Sequence, residues 1–168
     1  MESLKIEVDS LRKTLSKFLG NFSALLTDEQ VNSLTEKILG LIKSAESIYD
    51  SKIVYFTALN SIGKATASKN ATLIDKILPF IFSFTDENYL MENMSEYDKC
   101  NELAEACLNI LETYILKNSA SLKDKIGEII GTALLLVQYD PNFSYDTVDD
   151  YDNEYNDYDA GNKFYLSI

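Results

Sequence analysis

The sequence contains no histidine, and it has only 2 prolines, 6 glycines and 2 cysteines among its 168 residues. Without histidine the chain lacks the commonest general base, the Ser-His and Cys-His nucleophile systems, and the imidazole ligands of most zinc sites. We therefore predict that the chain is not an enzyme and has no catalytic residues, no cofactor and no metal site. The scarcity of glycine and proline favours long helices over a β protein with many turns.

The two cysteines are too far apart for a disulfide. Cys100 and Cys107 stand on one predicted helix, about 10 Å apart along its axis, which exceeds the Cα separation that an intrachain disulfide tolerates. We predict that both are reduced and buried, since free cysteine usually packs as a small hydrophobe.

The first residues show no secretory signal, and no apolar run approaches the roughly 20 residues of a membrane span. These features favour the cytoplasm or the nucleus.

Positive charge is also scarce. Lys and Arg number 15 against 27 Asp and Glu, which gives a formal net charge of -12 at pH 7. An acidic surface does not attract phosphate or anionic lipid headgroups, so we expect neither nucleic acid nor membrane as a partner. A protein is the remaining class of partner, and a basic protein would complement the negative charge of this chain.

Apolar residues are plentiful and recur every three or four positions through six segments, which is the pattern of amphipathic helices. Thr27 and Gln30 form a capping-box pattern at the start of the second helix. Pro79 is expected to kink the fourth helix. The stretch Asp86–Asn93 is predicted to be a polar connection between the fourth and fifth helices. The stripe predicted for the first helix comprises Leu4, Val8, Leu11, Leu15, Phe18, Leu19 and Phe22. The sixth helix is predicted to be lined by Leu122, Ile126, Ile129, Ile130, Ala133, Leu136 and Val137.

The predicted helices are spaced as pairs. The odd-numbered helices begin near residues 4, 50 and 96, and a repeat of about 46 residues falls in the range of HEAT or armadillo units. We predict an all-α fold, an α-solenoid of about three HEAT-like helix pairs. The pairs would cover residues 3–45, 48–85 and 94–138 of a domain at 1–138. A plain helical bundle fits the spacing alone equally well. Gly127 and Gly131 indicate close packing of the last helix.

The remaining residues, 139–168, differ sharply in composition. Between residues 139 and 160 there are eight acidic side chains, five tyrosines and no Lys or Arg. Such a stretch cannot bury enough apolar area to fold alone, so we expect an acidic tail or an inter-repeat insertion. Calcium binding at Asp150–Glu154 is not expected. An EF-hand loop beginning at Asp150 would need glycine at its sixth position and glutamate at its twelfth, where this sequence has Tyr155 and Gly161.

One motif in this segment resembles a known family. Its members are Tyr139, Asp140, Pro141, Asn142, Tyr145 and Asp146. The cullin-associated neddylation-dissociated (CAND) family has a very similar Tyr-Asp-Pro-Asn-Tyr-Asn-Tyr-Asp stretch before an acidic insertion. The resemblance extends to Leu73–Pro79 and Leu11–Gly20, and it identifies the chain with an internal HEAT-repeat segment of the family's N-terminal half.

The resemblance implies a partner as well as a fold. Members of the family bind a cullin that lacks its ubiquitin-like modification and support exchange of substrate receptors on cullin-RING ubiquitin ligases. Because exchange depends on the family's C-terminal arch, we expect cullin binding alone from these residues. The alternative is a generic HEAT-type adaptor or transport module that binds a basic protein or peptide. Uncapped ends of a short solenoid would also allow self-association.

Overall fold

The computed structural model describes residues 2–44 and 49–138, and all regular structure in these ranges is helical. Short 3-10 segments stand at Met94–Glu96 and Ser119–Lys125. The α-helices are α1 (Glu2–Ser23), α2 (Asp28–Ser44), α3 (Tyr49–Thr66), α4 (Leu73–Phe84), α5 (Glu87–Glu92), α6 (Tyr97–Asn118) and α7 (Ile126–Gln138). None of these helices is long and apolar enough to cross a bilayer. The predicted all-α class is confirmed.

The helices are stacked in two layers. In the first layer α3 lies between α1 and α6 and makes its most extensive contacts with these two helices. In the second layer α2 and α4 contact each other, and each also packs against the first layer, α2 against α3 and α4 against α6. This row of paired helices confirms the predicted α-solenoid and differs from helices gathered around one axis.

Local signals in the sequence place the second layer. The capping box at the start of α2 is present: the Thr27 amide donates to Gln30 Oε1 at 3.0 Å, and the Gln30 amide donates to Thr27 Oγ1 at 3.3 Å. The helix then buries one stripe against the core, formed by Val31, Thr35, Ile38, Leu39 and Ile42. Along α4 the buried stripe is Leu73, Ile74, Ile77, Leu78 and Ile81, and the helix continues through Pro79 to Phe84.

The predicted polar connection between the fourth and fifth helices contains a helix of its own. Asp86 caps α5, since its carboxylate accepts a hydrogen bond from the Asn88 amide at 3.0 Å. Leu90 of this short helix is buried. Its less polar residues, Tyr89, Leu90 and Met91, are consecutive and give no repeat of three or four positions, which is why the sequence did not predict α5.

The first helix packs with a different face from the predicted one. Ser16, Gly20 and Ser23 are buried, while Leu11, Leu15, Phe18 and Phe22 are exposed. A Cβ atom at Gly20 would lie 2.7 Å from the carbonyl oxygen of Ser61, so α1 approaches α3 along small residues. Of the predicted stripe only Leu19 packs partly against the core; the side chains of Leu4 and Val8 lie outside the described residues.

The predicted sixth helix is divided in two. Its first part is the 3-10 segment Ser119–Lys125, in which Leu122 is buried. Its second part, α7, is joined to the core chiefly through that segment and through partly buried Ile129. Most of the predicted lining residues of α7 are not buried; Ile126, Ile130, Ala133 and Val137 are exposed. No atom of residues 2–44 and 49–138 lies within 4 Å of a Cβ placed at Gly127 or Gly131, so the predicted close packing is not found among the described helices.

Candidate protein-binding groove

Two phenylalanines stand at the edge of the buried stripe of α4, partly buried against the core. Phe80 and Phe84 stand four residues apart and therefore on the same side of the helix. Pro79, next to Phe80, is exposed and borders the same surface. Phe84 is held by edge contacts with the rings of Phe56 and Tyr89, at centroid distances of 5.7 and 5.1 Å. Phe84 is therefore held in place by rings from α3 and α5.

A lysine from a neighbouring helix approaches each of these rings. Lys43 in the last turn of α2 places Nζ 5.3 Å from the centroid of Phe80. Lys52 near the start of α3 places Nζ 5.0 Å from the centroid of Phe84 and 5.8 Å from that of Tyr49. Each contact lies within the range of a cation–π interaction. Lys52 is only 8% exposed, and burial lowers the pKa of its ammonium group.

These groups enclose a groove of about 540 Å³ on the second layer of the solenoid. Three helices, α2, α3 and α4, contribute to it. Its described lining consists of Ile42, Lys43, Lys52, Pro79, Phe80, Ser83 and Phe84, a set with two cations and no carboxylate. We call this surface the lysine–phenylalanine groove. Its chemistry suits an extended segment that offers an apolar or aromatic side chain next to an acidic one.

A cluster of neutral polar groups fixes one end of the groove. The hydroxyl of Tyr49 donates to Asn93 Oδ1 at 2.6 Å, and Asn93 Nδ2 donates to the carbonyl of Tyr89 at 2.7 Å. The thiol of Cys100 lies 3.6 Å from the Tyr49 hydroxyl. Burial raises the pKa of Tyr49 and of Tyr89, so both phenols stay protonated at neutral pH. The cluster ties α3 to α5 and α6 and has a positioning role.

Both cysteines are buried, as predicted, and neither is in a disulfide. Burial raises the pKa of the Cys107 thiol, which keeps it protonated and unreactive. Within residues 2–44 and 49–138, no group of three or more His, Cys, Asp or Glu side chains is placed to hold a metal ion. What the described surface offers is a binding groove.

The sequence did not predict this groove. The residues of the family-like motif, Tyr139, Asp140, Pro141, Asn142, Tyr145 and Asp146, lie outside the described residues. The spacing of Phe80 and Phe84 is visible in the sequence, but both fall in an apolar helix where burial is the usual outcome. Lys43 and Lys52 come from other helices, so only the packing of three helices brings the four side chains together.

Comparison with known proteins supports the resemblance found in the sequence. The chain is 28% identical over 137 residues, 82% of its length, to Cullin-associated NEDD8-dissociated protein 1 of Dictyostelium discoideum. It spans about a tenth of that relative's length, because the match covers 10% of the longer protein. No family model and no solved structure matches the chain. The similarity confirms the resemblance to the CAND family and agrees with the stacked helix pairs.

Proposed function

We propose that this chain is a protein-binding scaffold of the CAND type, and that its partner is a cullin-RING ligase whose cullin lacks the ubiquitin-like modification. The observation that carries the proposal is the similarity to a cullin-associated protein across 82% of the chain. The two-layered helical stack supports it, because an array of helix pairs presents a long, continuous surface suited to another protein. Such a partner would be met in the cytoplasm or the nucleus.

The lysine–phenylalanine groove is the part of the described surface that suits this role best. A concave surface lined by aromatic and apolar side chains with a few charged groups is the usual form of a binding site. A partner segment with an acidic side chain would approach Lys43, while an apolar neighbour covered Phe80. Pro79 adds apolar surface beside Phe80 without offering an amide donor. We therefore place the contact with the partner on α2 and α4.

Binding of the full 168-residue chain to a purified cullin-RING complex tests the proposal. Biolayer interferometry should show association with the unmodified complex and much weaker association with the modified one. The variant Lys43→Glu reverses the exposed cation of the groove and should weaken binding by about tenfold or more. Its matched control is Lys123→Glu, which makes the same charge change on the 3-10 segment far along the chain.

Two results would count against the proposal in different ways. If neither form of the complex binds the chain at any accessible concentration, the cullin partner is wrong. If Lys43→Glu and Lys123→Glu weaken binding equally, the partner senses only net charge and the groove is not the contact site. Circular dichroism of both variants should match the parent chain, since both positions are exposed.

A second function is favoured by net charge alone. The chain carries -12 at pH 7, and its residues 139–160 hold eight carboxylates and no cation. A generic HEAT-type adaptor would use these charges to bind a basic protein or peptide. Such binding should be lost in moderate salt and on deletion of residues 146–160. Cullin binding through the groove should survive that deletion, which separates the two functions.

A further inference from the structure

A second groove lies between α1 and α3 in the first layer of the solenoid, with a volume of about 340 Å³. Its described lining consists of Lys17, Gly20 and Asn21 of α1 with Ser61, Lys64 and Ala65 of α3. Both helices contribute one cation to this lining, and neither contributes a carboxylate. We call this surface the α1–α3 groove.

The groove opens on the side of the two helices that faces away from the hydrophobic core. At 100° per residue, Lys17 and Asn21 lie to one side of Gly20, and Leu19, which packs against the core, lies to the other. On α3, Ser61 precedes Lys64 by one turn of the helix. Both lysines are exposed, so a ligand could reach them from solvent without displacing a helix.

Basic charge is concentrated in the two stretches of chain that form this groove. Residues 10–27 and 51–74 together contain six Lys and Arg and no Asp or Glu. They carry a formal charge of +6, and the rest of the chain carries -18, which gives the net -12. Lys17 and Lys64 are the members of this set that line the groove.

These two lysines have no acidic partner among residues 2–44 and 49–138. The ion pairs found there involve Lys76, Lys99 and Lys125. Lys64 stands in the last turn of α3, where a cation complements the helix dipole, but Lys17 lies a turn and a half before the end of α1. Helix capping therefore does not account for the pair.

The chain contains an acidic stretch of matching charge. Residues 146–160 hold seven carboxylates and no Lys or Arg. Opposite charge would let any acidic segment approach the groove. This one is tethered to it by the chain itself, which gives it an effective concentration that a separate acidic ligand would have to match.

The described helices place this stretch within reach of the groove. Asn118 at the end of α6 donates a hydrogen bond to the carbonyl of Ala67 at 2.9 Å, so the following 3-10 segment starts beside the end of α3. From Lys64 through these elements and α7 to Gln138 the path is at most about 50 Å. The 22 residues that lead from Gln138 to Ala160 can span about 70 Å.

We propose that residues 146–160 of this chain bind in the α1–α3 groove of the same molecule, with their carboxylates paired to Lys17 and Lys64. The bound segment shields this basic surface from other acidic ligands, and a basic partner has to displace the segment from the groove. Rising salt weakens the contact, because exposed charge pairs are screened. The contact is independent of cullin binding, which we place on α2 and α4.

Carbodiimide coupling of the full 168-residue chain tests the proposal, because this reagent joins a lysine amine to a carboxylate only where the two groups touch. Mass spectrometry of the monomeric fraction should show amide links from residues 146–160 to Lys17 and to Lys64 at low salt. These links should become at least about fivefold rarer at about 1 M salt, where the Debye length is about 3 Å.

A charge reversal at one lysine should be felt at the other. Lys17→Glu should lower the yield of links to Lys64 by about fivefold or more, because the acidic segment is then repelled from the groove. Lys37→Glu is the matched control, since it makes the same charge change at an exposed position of α2. It should leave the links to Lys64 unchanged. Both variants should keep the circular dichroism spectrum of the parent chain.

An equal mixture of isotope-labelled and unlabelled chains distinguishes links within one molecule from links between copies. Four outcomes would overturn the proposal. They are an absence of links from residues 146–160 to either lysine, links that join mainly labelled to unlabelled chains, and equal losses in Lys17→Glu and Lys37→Glu. The fourth is a set of links that leads chiefly to Lys43, which would place the segment in the lysine–phenylalanine groove.

Discussion

The middle and the end of the first layer differ in how they use apolar side chains. In α3, which has a neighbour on each side, Phe56, Leu59 and Ile62 are completely buried. In α1, whose described contacts are chiefly with α3, the described large side chains are mostly exposed and the buried positions are Ser16, Gly20 and Ser23. Both helices show an apolar repeat in the sequence. Helical periodicity therefore identifies a helix without showing which of its faces is packed.

The largest effect that tests this comparison should come from removing a buried aromatic ring in α3, the middle helix of the first layer. Phe56→Ala removes a buried side chain that contacts Phe84, and it should lower the free energy of unfolding by about 3–5 kcal/mol. The matched change at the end, Phe18→Ala, should cost no more than about 1 kcal/mol, because it removes mainly an exposed stacking contact with Phe22. Urea unfolding of dilute protein measures both values. Equal losses would contradict the assignment of Phe18 to an open face.

A smaller effect should come from filling the space between α1 and α3. Gly20→Ala places a methyl group 2.7 Å from a backbone carbonyl of α3 that cannot rotate away, and it should destabilise the chain by about 1–3 kcal/mol. The control is Gly40→Ala on α2, where a Cβ meets no described atom within 4 Å, and it should stabilise the chain by about 0.5–1 kcal/mol.

Hydrogen exchange of Gly20→Ala shows where that destabilisation acts. Because α1 packs chiefly on α3 in the part of the chain that the structure describes, the loss of protection should be concentrated in α1 and leave α6 protected. Loss of protection throughout the chain would show instead that α1 and the middle of the stack unfold as one unit.

Local signals in the sequence were sufficient for much of the fold. The capping box of Thr27 and Gln30 was predicted correctly because its two hydrogen bonds join residues three positions apart. The helix pairs followed from a repeat of about 46 residues, and the stack of paired helices agrees with it. These features depend on neighbours in the chain, so the order of residues is enough to reveal them.

Features that depend on contacts between helices could not be predicted. The small-residue face of α1 is packed because Ser61 lies opposite Gly20, and no pattern within α1 shows that. The lysine–phenylalanine groove needs side chains from three helices. The apolar repeat indicated neither the 3-10 segment before α7 nor the exposure of that helix. In each case the deciding partner is distant in the sequence.

The smallest effect concerns two adjacent residues of α6 at the middle of the stack. The hydroxyl of Tyr114 is buried and has no hydrogen-bond partner among the described residues, so Tyr114→Phe should stabilise the chain by about 1 kcal/mol. Thr113→Val removes the hydrogen bond to Asn60 and should destabilise it by a similar amount. Thermal unfolding at neutral pH measures both changes. A loss of stability in Tyr114→Phe would mean that the hydroxyl has a partner after all.

The pH dependence of Tyr114→Phe provides a separate test of burial at this position. Burial raises the pKa of Tyr114, so above about pH 10 the unfolded chain loses this proton while the folded chain retains it. The contribution of Tyr114 to stability is therefore complete below that pH and declines as the pH rises further. Buried Tyr49 and Cys107 act in the same direction and remain in the variant. The alkaline decline should consequently be shallower in Tyr114→Phe than in the parent chain, and identical slopes would show that this ring is reached by solvent.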